Sequence, residues 1–211
     1  ADAGIMTYEA PAPTTLTSAV ATAVRNVIKI INKVAGAENA LNITLDNATI
    51  KSDSKAAMKI SGEGDVNIEL NHSNVLTSGK AHAGLEKNDD DSSGRLTIRD
   101  DLRKDGTAKT GEEKKAEEDA VAAGKKGSEV ENVGSLTATG GNDGRYGGAG
   151  IGGGSNSYLS GDTSTSSIVI DGGKITATGG EGAAGIGAGT FASGGKVNQK
   201  DPDDRSQTIT I

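Results

Sequence analysis

Over most of the chain, runs of four or five residues alternate apolar and polar positions. They are "LNITL" from 41, "VNIEL" from 66, "LTIRD" from 96, "SIVID" from 167 and "TITI" from 208. Alternation at period two turns one side of an extended segment toward a core. A second run follows each of the first four: "ATIKS" (48–52), "NVLTS" (74–78), "SLTAT" (135–139) and "KITAT" (174–178). A third comes next: "AAMKI" (56–60), "AGLEK" (83–87), "AGIGG" (149–153) and "AGIGA" (184–188). The chain therefore cycles through three short strands four times and begins a fifth cycle. The cycles start at Leu41, Val66, Leu96, Ile168 and Thr208, roughly 25, 30, 72 and 40 residues apart. The long interval falls into line when a segment at about 102–133, rich in Lys, Glu, Asp, Ala and Gly, is set aside as an insertion. A short surface helix is expected near 112–123 within it.

One segment follows a different rhythm. In "TTLTSAVATAVRNVIKIINKVA" (14–35), Leu16, Val20, Val24, Val27, Ile28, Ile31 and Val34 recur at spacings that draw an apolar stripe on a helix. Thr14 and Thr15 stand at its start and Gly36 follows it. An α-helix over 14–36 that caps one end of the stack is expected. Residues 1–13, "ADAGIMTYEAPAP", form an extended arm before it, and residues 37–211 form the repetitive body with its insertion.

Strands of about five residues are not stable singly; stacked on their equivalents in the next coil they gain a parallel ladder at ~4.8 Å spacing. The expected fold is all-β, a right-handed parallel β-helix of about four to five three-stranded coils. Handedness is inferred from the variable coil length, since left-handed hexapeptide helices are far more regular. Met58, Leu85, Ile151 and Ile186 are expected to stack inward on the third strands, and Ile50, Val75, Leu136 and Ile175 on the second.

Composition explains how so thin a core suffices and narrows the partners. Aromatic residues make up 2% of the chain and there are 32 glycines. No cysteine is present, which excludes a disulfide framework, a thiol nucleophile and a thiolate metal site. A net charge of −7 argues against a nucleic-acid partner. The longest apolar segment carries Arg25, Lys29 and Lys33, so no membrane insertion is expected. The opening "ADAG" is the kind of start left by signal-peptide removal, and an extracellular, cell-surface location is expected.

The pattern "LTI…GSLTATGG…GGAGIGGG…IVIDGGKITATGGEGAAGIGAG" resembles the parallel β-helix regions of Gram-positive bacterial cell-surface proteins, including clostridial β-helical carbohydrate-binding surface proteins. The resemblance spans about residues 41–101 and 134–190. It implies a secreted structural or adhesive role and specifies the fold better than the chemistry.

Candidate chemistry is sparse. Gly148, Gly150 and Gly153 satisfy G-x-G-x-x-G, but no helix pattern follows, so corners and thin walls are the expected use of these glycines. Self-association is expected through the arm (Ile5, Met6, Tyr8) and an open C-terminal end (Thr208, Ile209, Thr210, Ile211), giving a homo-oligomer or a polymer such as a filament. Polysaccharide is the alternative partner, with Tyr146 and Tyr158 flanking "GGAGIGGG" as contact candidates. No cofactor is expected other than calcium, for which Asp89, Asp90 and Asp91 in the loop "NDDDSSG" are the candidate ligands; a second acidic cluster is Asp201, Asp203 and Asp204. Enzymatic action is not expected. A β-helical polysaccharide lyase or hydrolase would draw on Asp100, Asp101 and Asp105 with Arg99 and Arg103, which read more simply as the neck of the insertion. Glu69 and Arg99 are expected to form a surface ion pair, and His72 and His82 to occupy exposed loops. The pairs Thr137/Thr139 and Thr176/Thr178 form a short T-x-T array of the kind that orders water in ice-binding solenoids.

Overall fold

A computed structural model describes residues 5–10, 15–19, 27–123, 133–155, 168–190 and 208–210, the first two and the last of these segments through their backbone. Sixteen strands, one α-helix and one 3-10 turn (Ala37–Asn39) occupy the described residues. The strands are β1 (Ile5–Ala10), β2 (Thr15–Ala19), β3 (Val27–Asn32), β4 (Leu41–Asp46), β5 (Thr49–Lys51), β6 (Met58–Gly62), β7 (Val66–Asn71) and β8 (Ser73–Thr77). They continue with β9 (Leu85–Ser92), β10 (Leu96–Arg99), β11 (Ser135–Thr139), β12 (Ile151–Gly152), β13 (Ile168–Asp171), β14 (Lys174–Thr178), β15 (Ile186–Gly187) and β16 (Thr208–Thr210). The helix is α1 (Gly111–Ala122), in the charged insertion.

The strands stack into three sheets. Sheet A runs β1-β3-β6-β9-β12-β15, sheet B runs β13-β10-β7-β4-β2 and sheet C runs β16-β14-β11-β8-β5. Along the chain the order B, C, A repeats as four triplets: β4-β5-β6, β7-β8-β9, β10-β11-β12 and β13-β14-β15. Among the described strands every pairing is parallel except that of β16 with β14. This is the arrangement of a parallel β-solenoid.

The core follows from register. Met58, Leu85, Ile151 and Ile186 stack in one column of sheet A, as the sequence predicts. In sheet B, Leu41, Val66, Leu96 and Ile168 form one column and Ile43, Ile68, Ile98 and Ile170 the next. All but Ile168, Ile170 and Ile186 are buried, and those three, in the last triplet, pack against the cluster. Burying one such side chain contributes about 1.5–3 kcal/mol.

The structure corrects the sequence reading in four places. The helix expected over 14–36 is absent from the described part of that segment: Thr15–Ala19 is a strand on β4 and Val27–Asn32 a strand on β6. Thr15 and Thr17 and the β-branched Val27, Ile28, Ile30 and Ile31 lose side-chain freedom in a helix and suit a pleated surface. The arm does not stand apart either, since β1 pairs in parallel with β3. "TITI" does not begin a fifth cycle; β16 runs antiparallel on β14. Period-two alternation sets faces, not direction.

The fourth correction is a one-residue slip in sheet C. Leu76, not Val75, joins the column of Ile50, Ala138 and Ala177, while Asn74 stands in line with Leu136 and Ile175. Buried Asn74 is satisfied by backbone alone: its Oδ1 accepts from Ala48 N–H at 2.9 Å, and its Nδ2 donates to the carbonyls of Asn71 at 3.0 Å and Ser135 at 3.1 Å. Those bonds offset the cost of placing an amide inside.

The corner between sheets B and C demands a left-handed residue. Asn47 (φ 50°), His72 (φ 57°) and Gly173 (φ 81°) supply it in the triplets begun by β4, β7 and β13. In the triplet begun by β10, the insertion leaves at this corner. In "GGAGIGGG", Gly152 has φ 128°, and a Cβ there would lie 2.1 Å from the Gly187 carbonyl oxygen, so neighbouring coils could not approach.

The register predicts opposite outcomes for two adjacent residues. Leu76→Ala should cost about 2–5 kcal/mol, whereas Val75→Thr should stay within about 0.5 kcal/mol of the parent. Urea midpoints of the two variants check this.

Candidate functional site

The outer face of sheet C is built by the same alternation that builds the core. With Leu136, Ala138, Ile175 and Ala177 buried, Thr137, Thr139, Thr176 and Thr178 turn outward. The register places Thr77, Thr139, Thr178 and Thr208 in one column headed by Lys51. Thr49, Val75, Thr137, Thr176 and Thr210 share the column beside it. The threonine array is therefore longer than expected, because Thr77 rather than Ser78 occupies the column and β16 extends both columns. Ser78 faces inward, where its hydroxyl donates to the Ala83 carbonyl at 2.6 Å and accepts from Ala57 N–H at 2.7 Å.

A groove of about 560 Å³ lies along this face where it meets the neck of the insertion. Ser73, Ser135 and Lys174 form its floor as one register column, with Thr137 and Thr176 beside them. Asn47 and His72 stand at the corner, and Lys104 and Val133 come from the two ends of the insertion. His72 Nδ1 lies 2.7 Å from Asp46 Oδ1, which fixes the ring against the groove. No carboxylate lines the groove among the described residues, although the chain carries a net charge of −7. Hydroxyls, each able to donate and accept, and two lysines therefore face the groove, with the hydroxyls of Ser73, Ser135, Thr137 and Thr176 set on stacked rungs ~4.8 Å apart.

The carboxylates of the neck do not assemble into an acid–base pair open to substrate. Glu69 and Arg99 do pair across coils, with Nε 3.2 Å from Oε2, but Glu69 is buried rather than at the surface. Its Oε1 accepts from the backbone N–H of Asp101 at 2.6 Å and Leu102 at 2.7 Å, holding the start of the insertion against sheet B. Burial raises the Glu69 pKa against those bonds. Asp100 is buried against Lys109, Asp101 pairs with Lys114 on α1, and Arg103 clasps Glu113 with Nη2 2.6 Å from Oε2. The Arg103 bond draws the Glu113 carboxyl down to about 2. Asp105 accepts from Thr107 within the hairpin of the neck.

In the loop before β9, His82 keeps the position expected of it, its side chain partly exposed, and its Nδ1 lies 2.8 Å from Glu86 Oε2. Glu86 is buried and also meets Lys59 Nζ at 3.3 Å and Asn88 Nδ2 at 3.2 Å. Burial pushes its pKa up, but the His82 bond and the charges of His82 and Lys59 outweigh this and hold it below the ordinary value.

The calcium candidates lie on a strand, not in a loop: Asp89, Asp90 and Asp91 fall within β9. Their stretch bulges, because Lys87 pairs with Ile60 while Ser92 already pairs with Gly62. The Lys87 ammonium, buried, donates to the Ser92 carbonyl at 3.0 Å and closes the bulge. The side chains of Asp89, Asp90 and Asp91 lie outside the described residues, as do Asp201, Asp203 and Asp204. Tyr146 is half-buried with the Arg145 guanidinium 5.6 Å from its ring centre, and Tyr158 lies outside the described residues. Tyr146 is not among the groove residues. Of the assembly candidates, Ile5, Met6 and Tyr8 fall on β1, at one end of sheet A, and Thr208, Ile209 and Thr210 on β16, at one end of sheet C; Ile211 is outside the described residues. No described helix is long and apolar enough to cross a membrane.

Sequence reasoning missed the groove. Its floor residues, Ser73, Ser135 and Lys174, carry no motif and become neighbours only through the stacking register.

No family model, curated protein or solved structure matches the chain.

Glu86 predicts a pH dependence. A lowered folded pKa gives stability that is present above the unfolded carboxyl value and lost as pH falls through the folded one. Between about pH 5 and about pH 3, the urea midpoint of Glu86→Gln should fall less than that of the parent, and the variant should be the less stable of the two at pH 5. Parallel curves for the two proteins would show that the His82–Glu86–Lys59 cluster stabilises nothing.

Proposed function

We propose that this chain is a non-enzymatic, extracellular cell-surface module, a right-handed parallel β-helix whose sheet C face binds an acidic polysaccharide. The observation that carries the reading is the groove itself: columns of Ser and Thr in register, with Lys174 on the floor and Lys104 from the insertion, and no carboxylate lining it among the described residues of an acidic chain. A polymer of hydroxyl-rich units laid along the stack meets similar hydrogen-bonding groups at successive rungs. The two lysines favour uronate- or sulfate-bearing units over neutral ones, and the attraction weakens with salt. Binding through many hydroxyls needs no aromatic platform. The resemblance to Gram-positive surface β-helices, with their carbohydrate-binding clostridial members, agrees with this reading. The carboxylates of the neck are committed to lysine, arginine and backbone partners, which argues against a polysaccharide-cleaving site there.

A second reading, self-association, has its own support. β1 and β16 are terminal strands of their sheets, at opposite ends of the stack. A terminal strand offers its outer edge for pairing with another copy. In this reading the chain builds an oligomer or filament end to end.

Affinity electrophoresis through gels containing polygalacturonate or cellulose separates these readings. The parent should be retarded by polygalacturonate at low salt and not by cellulose, and Lys104→Glu with Lys174→Glu should weaken retardation about tenfold or more. Failure of the parent to bind any acidic polymer, or full binding by the double variant, would overturn the polysaccharide reading. Concentration-dependent sedimentation of the parent, abolished by deleting residues 1–12, would support self-association instead.

A further inference from the structure

The insertion is pinned to the solenoid by a buried cluster whose chemistry goes beyond an ion pair. The Lys109 side chain is fully buried. Its Nζ lies 2.8 Å from Asp100 Oδ1 and 2.8 Å from Glu117 Oε2. Asp100 is 3% exposed and Glu117, on α1, 14% exposed. Asp100 Oδ2 is taken by the Gly134 N–H at 2.9 Å, on the strand side of the returning chain. Oδ1 has no hydrogen-bond partner despite the short approach of Nζ, so the nitrogen touches the carboxyl without a hydrogen-bonding alignment. The hairpin between the two residues is closed by backbone bonds from Lys109 N–H to Asp101 at 2.8 Å and from Arg103 N–H to Thr107 at 2.7 Å. Nucleophile and electrophile are therefore both held in place.

We infer that Lys109 and Asp100 form an intramolecular isopeptide bond, with Glu117 as the proton shuttle. In a dry site the ammonium of Lys109 passes one proton to the Asp100 carboxylate, because the neutral pair is less costly to bury than two charges. The amine nitrogen attacks Asp100 Cγ, and an N–C bond forms. Glu117 Oε2 takes the second proton from nitrogen and returns it to the hydroxyl on Cγ. The C–O bond breaks and water leaves. The products are one amide, one water and the regenerated Glu117 carboxylate; nothing is oxidised or reduced. Fixing two reactants at contact distance replaces a bimolecular condensation with an intramolecular one, an advantage of about 10⁵–10⁸ M in effective concentration. Burial also raises the Asp100 pKa against the pull of Lys109 and Gly134, which favours the acid form that the attack needs. The bond would close a ring over residues 100–109 and tie the root of the insertion covalently.

Intact-mass measurement of the full chain tests this directly. The parent should be lighter than its sequence by one water, and a tryptic digest should hold a branched peptide joining Asp100 to Lys109. Lys109→Arg and Glu117→Gln should each restore the full mass. A parent at full sequence mass with Lys109 open to trypsin would overturn the inference, and needs no variant to fold. A water loss that persists in Lys109→Arg and is removed by hydroxylamine would also overturn it, because it marks a succinimide at an Asp–Gly step (Asp105–Gly106, Asp143–Gly144 or Asp171–Gly172) instead.

Discussion

Everything in this structure depends on the parallel ladder between coils. No described sheet B or sheet C strand exceeds six residues, and β12 and β15 have two each. None of them carries enough apolar surface to order itself. Stacked at ~4.8 Å, each inward residue covers its equivalent above and below, and the backbone groups of both are satisfied together. The same constraint sets the composition. Ile, Leu and Val fill a narrow interior that has little room for aromatic rings, and glycine stands where one coil's backbone passes close to the next.

The ladder also makes the outer faces regular. Once Leu136 and Ile175 are inward, Thr137 and Thr176 are placed outward and in register without further specification. A surface of repeated hydroxyls is thus a by-product of the fold that a ligand can exploit. The insertion breaks the regularity at one corner. Its neck is held by Glu69, Asp100 and Asp101, three carboxylates whose partners are backbone N–H groups, Arg99, Lys109 and Lys114. That anchorage converts a flat face into a groove by bringing Lys104 and Val133 alongside Ser135 and Lys174. Fold, insertion and groove are in this sense one arrangement.

Much of this was legible in the sequence, for physical reasons that also explain the misreadings. The strand triplets and the Met58, Leu85, Ile151, Ile186 column could be read because period-two alternation survives in every coil. The helix of the insertion could be read from its Glu, Lys and Ala content. The described parts of 14–35 misled because Leu16, Val27, Ile31 and Val34 fit a helical period, while the β-branched side chains of Val27–Asn32 favour the strand that forms. Sheet C slipped by one because Val75 and Leu76 are adjacent and apolar, and nothing local says which faces in; Asn74 decides it through bonds to residues 26 and 61 positions away. The groove and the Lys109 cluster were illegible because burial of a lysine is a tertiary fact. Lys109 sits in a run of charged residues that reads as solvated until Asp100 and Glu117 close around it.

Register is the claim on which face, groove and core all rest, and the absence of native cysteine allows it to be measured by paired substitution. Thr77→Cys with Thr139→Cys places two outward thiols on adjacent rungs, within the ~4.4–6.8 Å Cα separation that a disulfide spans. Under mild oxidation this pair should link nearly completely, seen as an intramolecular cross-link by mass spectrometry. Ser78→Cys with Thr139→Cys, one inward and one outward, should stay reduced. Linkage of the second pair in preference to the first would contradict the register and the account built on it.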